Sequence, residues 1–166
     1  MSKIRHLGDA ALRTVCKPLT SENGLDSVED LLLEMHETMT AEQGIGLAAN
    51  QIGQCVRVFI LKDGDSFKEF INPEIVSQME TVDFQGEGCL SIPGVSAPTK
   101  RFRRVNMTWT DRAGRTQEGE FLDMDAFAVQ HEMDHLNGKL YIDQFGPVKK
   151  EMVVKKHKKF LKLRST

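Results

Sequence analysis

The stretch His131-Glu132-Met133-Asp134-His135 carries two imidazoles four residues apart. On a helix that spacing projects both from one face, close enough to chelate a single ion. Glu132 sits beside them as a candidate base. Two partly buried histidines with surface acids would give the same string. The metal reading is favoured because Met124, Phe127 and Ala128 precede His131 at spacings of seven, four and three and put an apolar surface on the same face. An unbranched hydrophobic side chain could lie there, next to the ion.

A catalytic site of this kind needs a third protein ligand and an open position for water. Downstream, His157, Glu151 and Asp143 are open choices. Cys89 is the better candidate, because the glycines of Gly86-Glu87-Gly88-Cys89-Leu90-Ser91 leave the thiol and adjoining amides accessible. Cys16 and Cys55 fit the role of small buried residues. A further cluster, Gly44-Ile45-Gly46-Leu47-Ala48-Ala49-Asn50-Gln51, lacks the spacing of a dinucleotide fingerprint or a P-loop, and by itself reads as a tight helix exit before a turn of small residues.

The elements that must position these groups follow from periodicity. A helix is predicted over 124–137, with Asp123 as N-cap and Gly138 as its stop. An earlier helix is predicted over 27–42 from Val28, Leu31, Leu32, Met35 and Met39, capped by Asp26 or Ser27 with Glu29 or Asp30 three residues on. It should break at Gly44-Ile45-Gly46. Between them lie short strands: Val56 to Leu61, Phe67 to Ile71 and Ile75 to Val82, punctuated by Asp63-Gly64 and Pro73. A hairpin pairs Val105 to Thr110 with Thr116 to Phe121 around Asp111-Arg112-Ala113-Gly114. The order of helix, strands and helices indicates an α+β fold.

Composition bounds the reading. At 166 residues, one domain is expected, with 1–147 as its body and 148–166 as a basic helical extension. A 40% hydrophobic and 28% charged chain is too apolar for intrinsic disorder. No run is long enough to span a bilayer, and the N-terminus lacks an apolar secretory core, so no membrane role and a cytoplasmic location are expected. Three cysteines without CxxC spacing argue against a disulfide scaffold. The net charge of −2 divides unevenly: from Val148 onward, eight basic residues face Glu151 alone, giving +7 there and −9 on the rest. Such a tail suits a polyanion, although a solvated helix face is the commoner meaning of a charge run.

Three stretches in order, Gly44 to Gln51, Glu87 to Ser91 and His131 to His135, make the chain resemble the peptide deformylase family. Asp9, Leu12, Arg13, Asn72-Pro73 and Asn137-Gly138 extend the resemblance over nearly the whole length. It implies antiparallel or mixed strands packed around the HExxH helix, and one divalent ion on Cys89, His131 and His135. The implied activity is removal of the N-formyl group from the formyl-methionine of nascent polypeptides, releasing formate. Glu132 would move the proton, while the Gln51 amide and the Leu90 backbone N–H would steady the developing oxyanion. Gly44, Ile45 and Gly46 would take the peptide as a strand, and Ile45, Leu90, Met124, Phe127, Ala128 and His131 would surround the methionine.

Ferrous iron is the physiological ion the resemblance points to, with zinc, nickel or cobalt in purified protein. Asp134 and Arg101 align with charged positions, either as a supporting ion pair or as plain surface charges. Gln85 and Asp125 stand where relatives often carry apolar residues, and Gln85 is expected at the methionine pocket. Relatives with a similar C-terminal helix also imply ribosome docking, through RNA phosphates near the tunnel exit. Because every catalytic motif lies upstream, the tail is expected to be separable from hydrolysis. Other readings are a zinc endopeptidase with a long cleft, a nucleic-acid-binding module using the tail, and a family member that has lost its activity.

Overall fold

The computed structural model describes residues 2–165. Helix α1, Val28–Ala41, turns Val28, Leu32, Met35 and Met39 inward at helical spacing. No side chain caps its start. The Ser27 hydroxyl donates instead to Gly24 O at 3.2 Å, so a preceding turn takes the place of the expected cap. Gln43, in left-handed conformation (φ 55), closes the helix, and the Gly44 N–H returns to Met39 O at 2.9 Å. The stop therefore falls one residue before the glycines.

Five strands follow: β1 Gly46–Ala48, β2 Val58–Asp63, β3 Ser66–Gly88, β4 Ser96–Thr110 and β5 Thr116–Leu122. They form one antiparallel sheet in chain order, which is the antiparallel form of the expected arrangement. β1 was not expected as a strand; three small or apolar residues give little periodic signal. β3 joins the two predicted strands around Pro73. A register shift between Ile71 and Glu74 absorbs the proline, whose missing N–H costs nothing at a bulge. Asn72, with φ 48, fastens that bulge to Leu19: its Oδ1 accepts from Leu19 N at 2.7 Å and its Nδ2 donates to Leu19 O at 2.9 Å.

Helix α2, Asp123–Leu136, lies against the sheet. Ala126, Val129, Met133 and Leu136 pack with Phe59, Phe70, Val105, Met107 and Phe121, leaving the histidine face for the cleft. Asp123 is the first helical residue rather than the N-cap, because Arg103 Nε holds its carboxylate at 2.7 Å. Gly138 ends the helix as predicted, with φ 69 and its N–H on His135 O at 3.0 Å.

Helix α3, Pro147–Arg164, is the basic tail. It is not solvated on all sides: Val153 and His157 are buried, and Val153 belongs to the cluster of Leu12, Ile92, Val95 and Tyr141. Leu163, near its end, is exposed. The three cysteines are unpaired, and among the described residues no helix is long and apolar enough to cross a membrane.

Candidate active site

α2 supplies His131, Glu132 and His135, and the turn after β3 supplies Cys89. Cys89 Sγ lies 3.2 Å from His135 Nε2, which lies 3.2 Å from His131 Nε2. All three ligand atoms fall within 4.8 Å of one another. Four-coordinate zinc, with bonds of about 2.0–2.3 Å, separates its nitrogen and sulfur donors by roughly 3.3–3.6 Å, so this set is spaced as an ion's ligands should be. The chemistry fits too: two imidazoles and a soft thiolate suit zinc, iron, cobalt or nickel. The other open choices lie elsewhere. His157 Nδ1 faces Pro93 O at 3.4 Å, Asp143 pairs with Arg13 and Lys150, and Glu151 pairs with Lys155.

A buried charge network orients the first histidine. His131 Nδ1 donates to Glu87 Oε1 at 2.7 Å. Glu87 also accepts from Arg101 Nε at 3.0 Å and from the Thr99 hydroxyl, and Arg101 reaches Asp134 at 2.7 Å. Burial alone would push the Glu87 carboxyl up; the hydrogen bonds from His131 and Arg101 outweigh it and hold it at about 2. Burial would likewise lower His131, but its bonds to Cys89 and Glu87 raise it well above the ordinary histidine value. His135, buried with no comparable partner on Nδ1, is lowered. A proton and a cation thus compete for the same cluster.

Glu132 is 4% exposed and its Oε2 has no partner. Burial raises its carboxyl to about 7. Its Oε1 rests against the α-carbon of Gly46, where a Cβ would overlap it. Gly44 is tight for a similar reason, since a Cβ there would come 2.7 Å from Leu90 Cδ1. Gln51 is buried, with Oε1 accepting from Ala48 N at 2.9 Å; its Nε2 donates to Ser91 Oγ at 3.1 Å and lies 3.5 Å from Cys89 Sγ.

Beside this cluster opens a cleft of about 460 Å³, walled by the Gln43–Gly46 segment, the Gly86–Val95 segment and the start of α2. A sequence profile of polypeptide deformylases matches residues 1–151. The chain belongs to the polypeptide deformylase family.

Relatives at substantial identity agree. The chain is 44% identical over 141 residues to the peptide deformylase of Thermoanaerobacter pseudethanolicus, covering 85% of this chain and 87% of that one. It is 42% identical over 164 residues to the peptide deformylase of Mesorhizobium japonicum, covering 94% and 90%. The crystal structure of a peptide deformylase from Legionella pneumophila superposes with a TM-score of 0.93 at 36% identity, over 99% of this chain and 98% of that one. The deformylase fold, an α+β arrangement on an antiparallel sheet, is therefore shared. The chain is a metal-dependent hydrolase of the class that removes N-formyl groups from nascent peptides.

Measured against this deformylase cleft, the residues singled out in the sequence come together. Gly44, Ile45, Gly46, Gln51, Leu90 and Glu132 line it, as do Met124, Phe127, Ala128, Cys89 and His131, while His135 is buried behind them. Gln85 does not join them. It is exposed, because the register shift between Phe84 and Glu87 rotates the chain, and Phe84 takes the wall, stacked on Phe127 at 4.8 Å between centroids. Asp125 is exposed in the first turn of α2, where a carboxylate is favourable. The Asp134–Arg101 pair forms, with Arg101 5% exposed. What the spacing argument missed is Glu87 as a partner of His131. Its signal was available: two residues before Cys89, along extended chain, it can share that residue's face.

Proposed function

We propose that Cys89, His131 and His135 hold one divalent ion, and that Glu132 is the proton carrier for hydrolysis of an N-terminal formyl-methionyl peptide. The observation that carries this is the convergence of three ligand atoms beside a buried carboxylate whose outer oxygen is unpartnered. A divalent ion there supplies the Lewis acidity that makes water a nucleophile near neutral pH. Glu132, poised near neutrality, takes the proton of the attacking water and returns it to the departing amine. The C–N bond of the formamide breaks, leaving formate and a free amino terminus.

The oxygen that gains charge needs donors, and the Gln51 Nε2 amide and the Leu90 N–H are assigned that role. Gln51 is held for it by Ala48 and Ser91. Each such donor is worth about 3–4 kcal/mol of barrier. The backbone from Gly44 to Gly46 borders the cleft at the edge strand β1, so an extended peptide can add to it without its side chains being read. Selectivity then rests on the first side chain, which enters among Ile45, Leu90, Met124, Phe127, Ala128 and His131. Phe84 joins this wall. The sulfur of methionine gains from the stacked Phe84 and Phe127 rings.

Ferrous iron is the ion we assign in the cell, and the cytoplasm the location, where nascent chains emerge. The exposed face of α3, which carries most of its eight basic residues, is assigned to ribosomal RNA phosphates. Mass spectrometry on matched formylated and unformylated peptides tests the reaction. Loss of the formyl mass alone supports it, and internal cleavage would favour an endopeptidase. Ribosome co-sedimentation over a salt series tests the docking role: binding should weaken steeply with salt, and salt-independent binding would refute it.

A further inference from the structure

The segment Pro93-Gly94-Val95 forms one wall of the cleft, yet it lies in the irregular stretch between the Cys89 turn and β4 and has no strand ladder to hold it. Its support comes from behind. The Tyr141 hydroxyl donates to Val95 O at 3.2 Å, and α3 covers the rest. Gly94 has φ +79, and a Cβ on it would run into the Phe160 ring of α3. One helical turn earlier, buried His157 brings its Nδ1 to 3.4 Å from Pro93 O. Phe160 does not itself line the cleft.

We propose that Phe160 is a positioning residue for the substrate cleft: seated on Gly94, it holds the Pro93–Val95 wall in the shape that receives the peptide, so α3 sets substrate affinity from outside the cleft and, against the expectation drawn from motif order, is not separable from hydrolysis. This rests on the deformylase reading of the site. A bare glycine in a left-handed turn has the widest conformational freedom of any residue, so the wall depends on an external contact to stay in one form. An aromatic ring occupying the space a side chain would fill supplies that contact. The catalytic atoms stand apart from it, on α2 and the Cys89 turn. Loss of the ring should therefore weaken binding of ground state and transition state alike, which raises KM and spares kcat.

The test uses the full-length, metal-loaded chain with a formyl-methionyl tripeptide. Phe160→Ala should raise KM on the order of tenfold while kcat stays within about twofold and metal content is unchanged. Phe160→Leu, which refills much of the space, should recover most of the loss. Met152→Ala, on the exposed side of the same helix, should match the wild type. A thermal melt reports folding of each variant. Unchanged KM in folded Phe160→Ala overturns the proposal, and so does a fall in kcat accompanied by metal loss, which would place the effect at Cys89. Absence of turnover in the wild type would instead refute the deformylase reading.

Discussion

Glu87 Oε1 accepts the Nδ1 proton of His131 at 2.7 Å, tying the orientation of one imidazole of the proposed metal site to a carboxylate that is itself clamped by Arg101. Such outer partners typically contribute a factor of about 10–100 in metal affinity. Glu87→Gln keeps the shape and removes the charge. It should lower affinity by that order, measured by competition with a chromogenic chelator. Affinity equal to that of the wild type would mean His131 needs no carboxylate to hold its ring.

Gly46 should tolerate no side chain. A Cβ there would overlap Glu132 Oε1 and come 2.9 Å from Leu61 Cδ2, so Gly46→Ala must displace the proposed proton carrier or the edge strand. A displacement of about 1 Å can cost on the order of a hundredfold in rate. Turnover should fall by that order with metal content retained; full activity would show that Glu132 has room to move.

The sequence carried the site better than its surroundings. That the histidines at helical spacing and the cysteine among glycines come together was legible, because the chemistry of a candidate metal site restricts residue type. The capping of α1 and α2 was not, since Ser27 and Asp123 have the right side chains but spend them on Gly24 and Arg103. Nor was the continuity of β3, where a bulge anchored by Asn72 carries the chain past Pro73. Gln85 and Phe84 exchange roles through another register shift, which no two-residue period reveals. On α3 the burial of His157 was hidden, because a histidine in a run dominated by lysine carries no apolar signal.

The cysteines should separate by function. Cys89→Ala removes the proposed soft ligand and should lose most bound metal. Cys16, 3% exposed and with its thiol pushed up to about 12 chiefly by burial, is an inert core residue. Cys16→Ala should keep its metal and lose about 1 kcal/mol of stability from the truncated core. Metal analysis of the two variants checks this, and equal loss in both would remove the case for a specific third ligand.

Acid should loosen the junction of the N-terminal segment with α3. Burial pushes the Asp143 carboxyl up, but hydrogen bonds from Arg13, the Leu140 N–H and Lys150 outweigh it and hold it at about 2. A depressed carboxylate contributes stability above its unfolded value of about 4 and loses it as pH falls toward 2. With solvent screening at this largely exposed group, the contribution is on the order of 1 kcal/mol. Urea melts of Asp143→Asn should show that deficit at pH 7 and parity with the wild type near pH 2. A constant deficit across the range would assign the effect to packing.

In the proposed site three side chains hold the ion while a fourth, which holds none of it, moves the proton. Metal content and formyl-methionyl-peptide turnover, measured on the same anaerobically purified samples of wild type and Glu132→Ala, test it most directly. About one equivalent of divalent metal is expected in both, with turnover in the variant reduced on the order of a hundredfold or more. Normal turnover in Glu132→Ala, or loss of its metal, would contradict that division of labour.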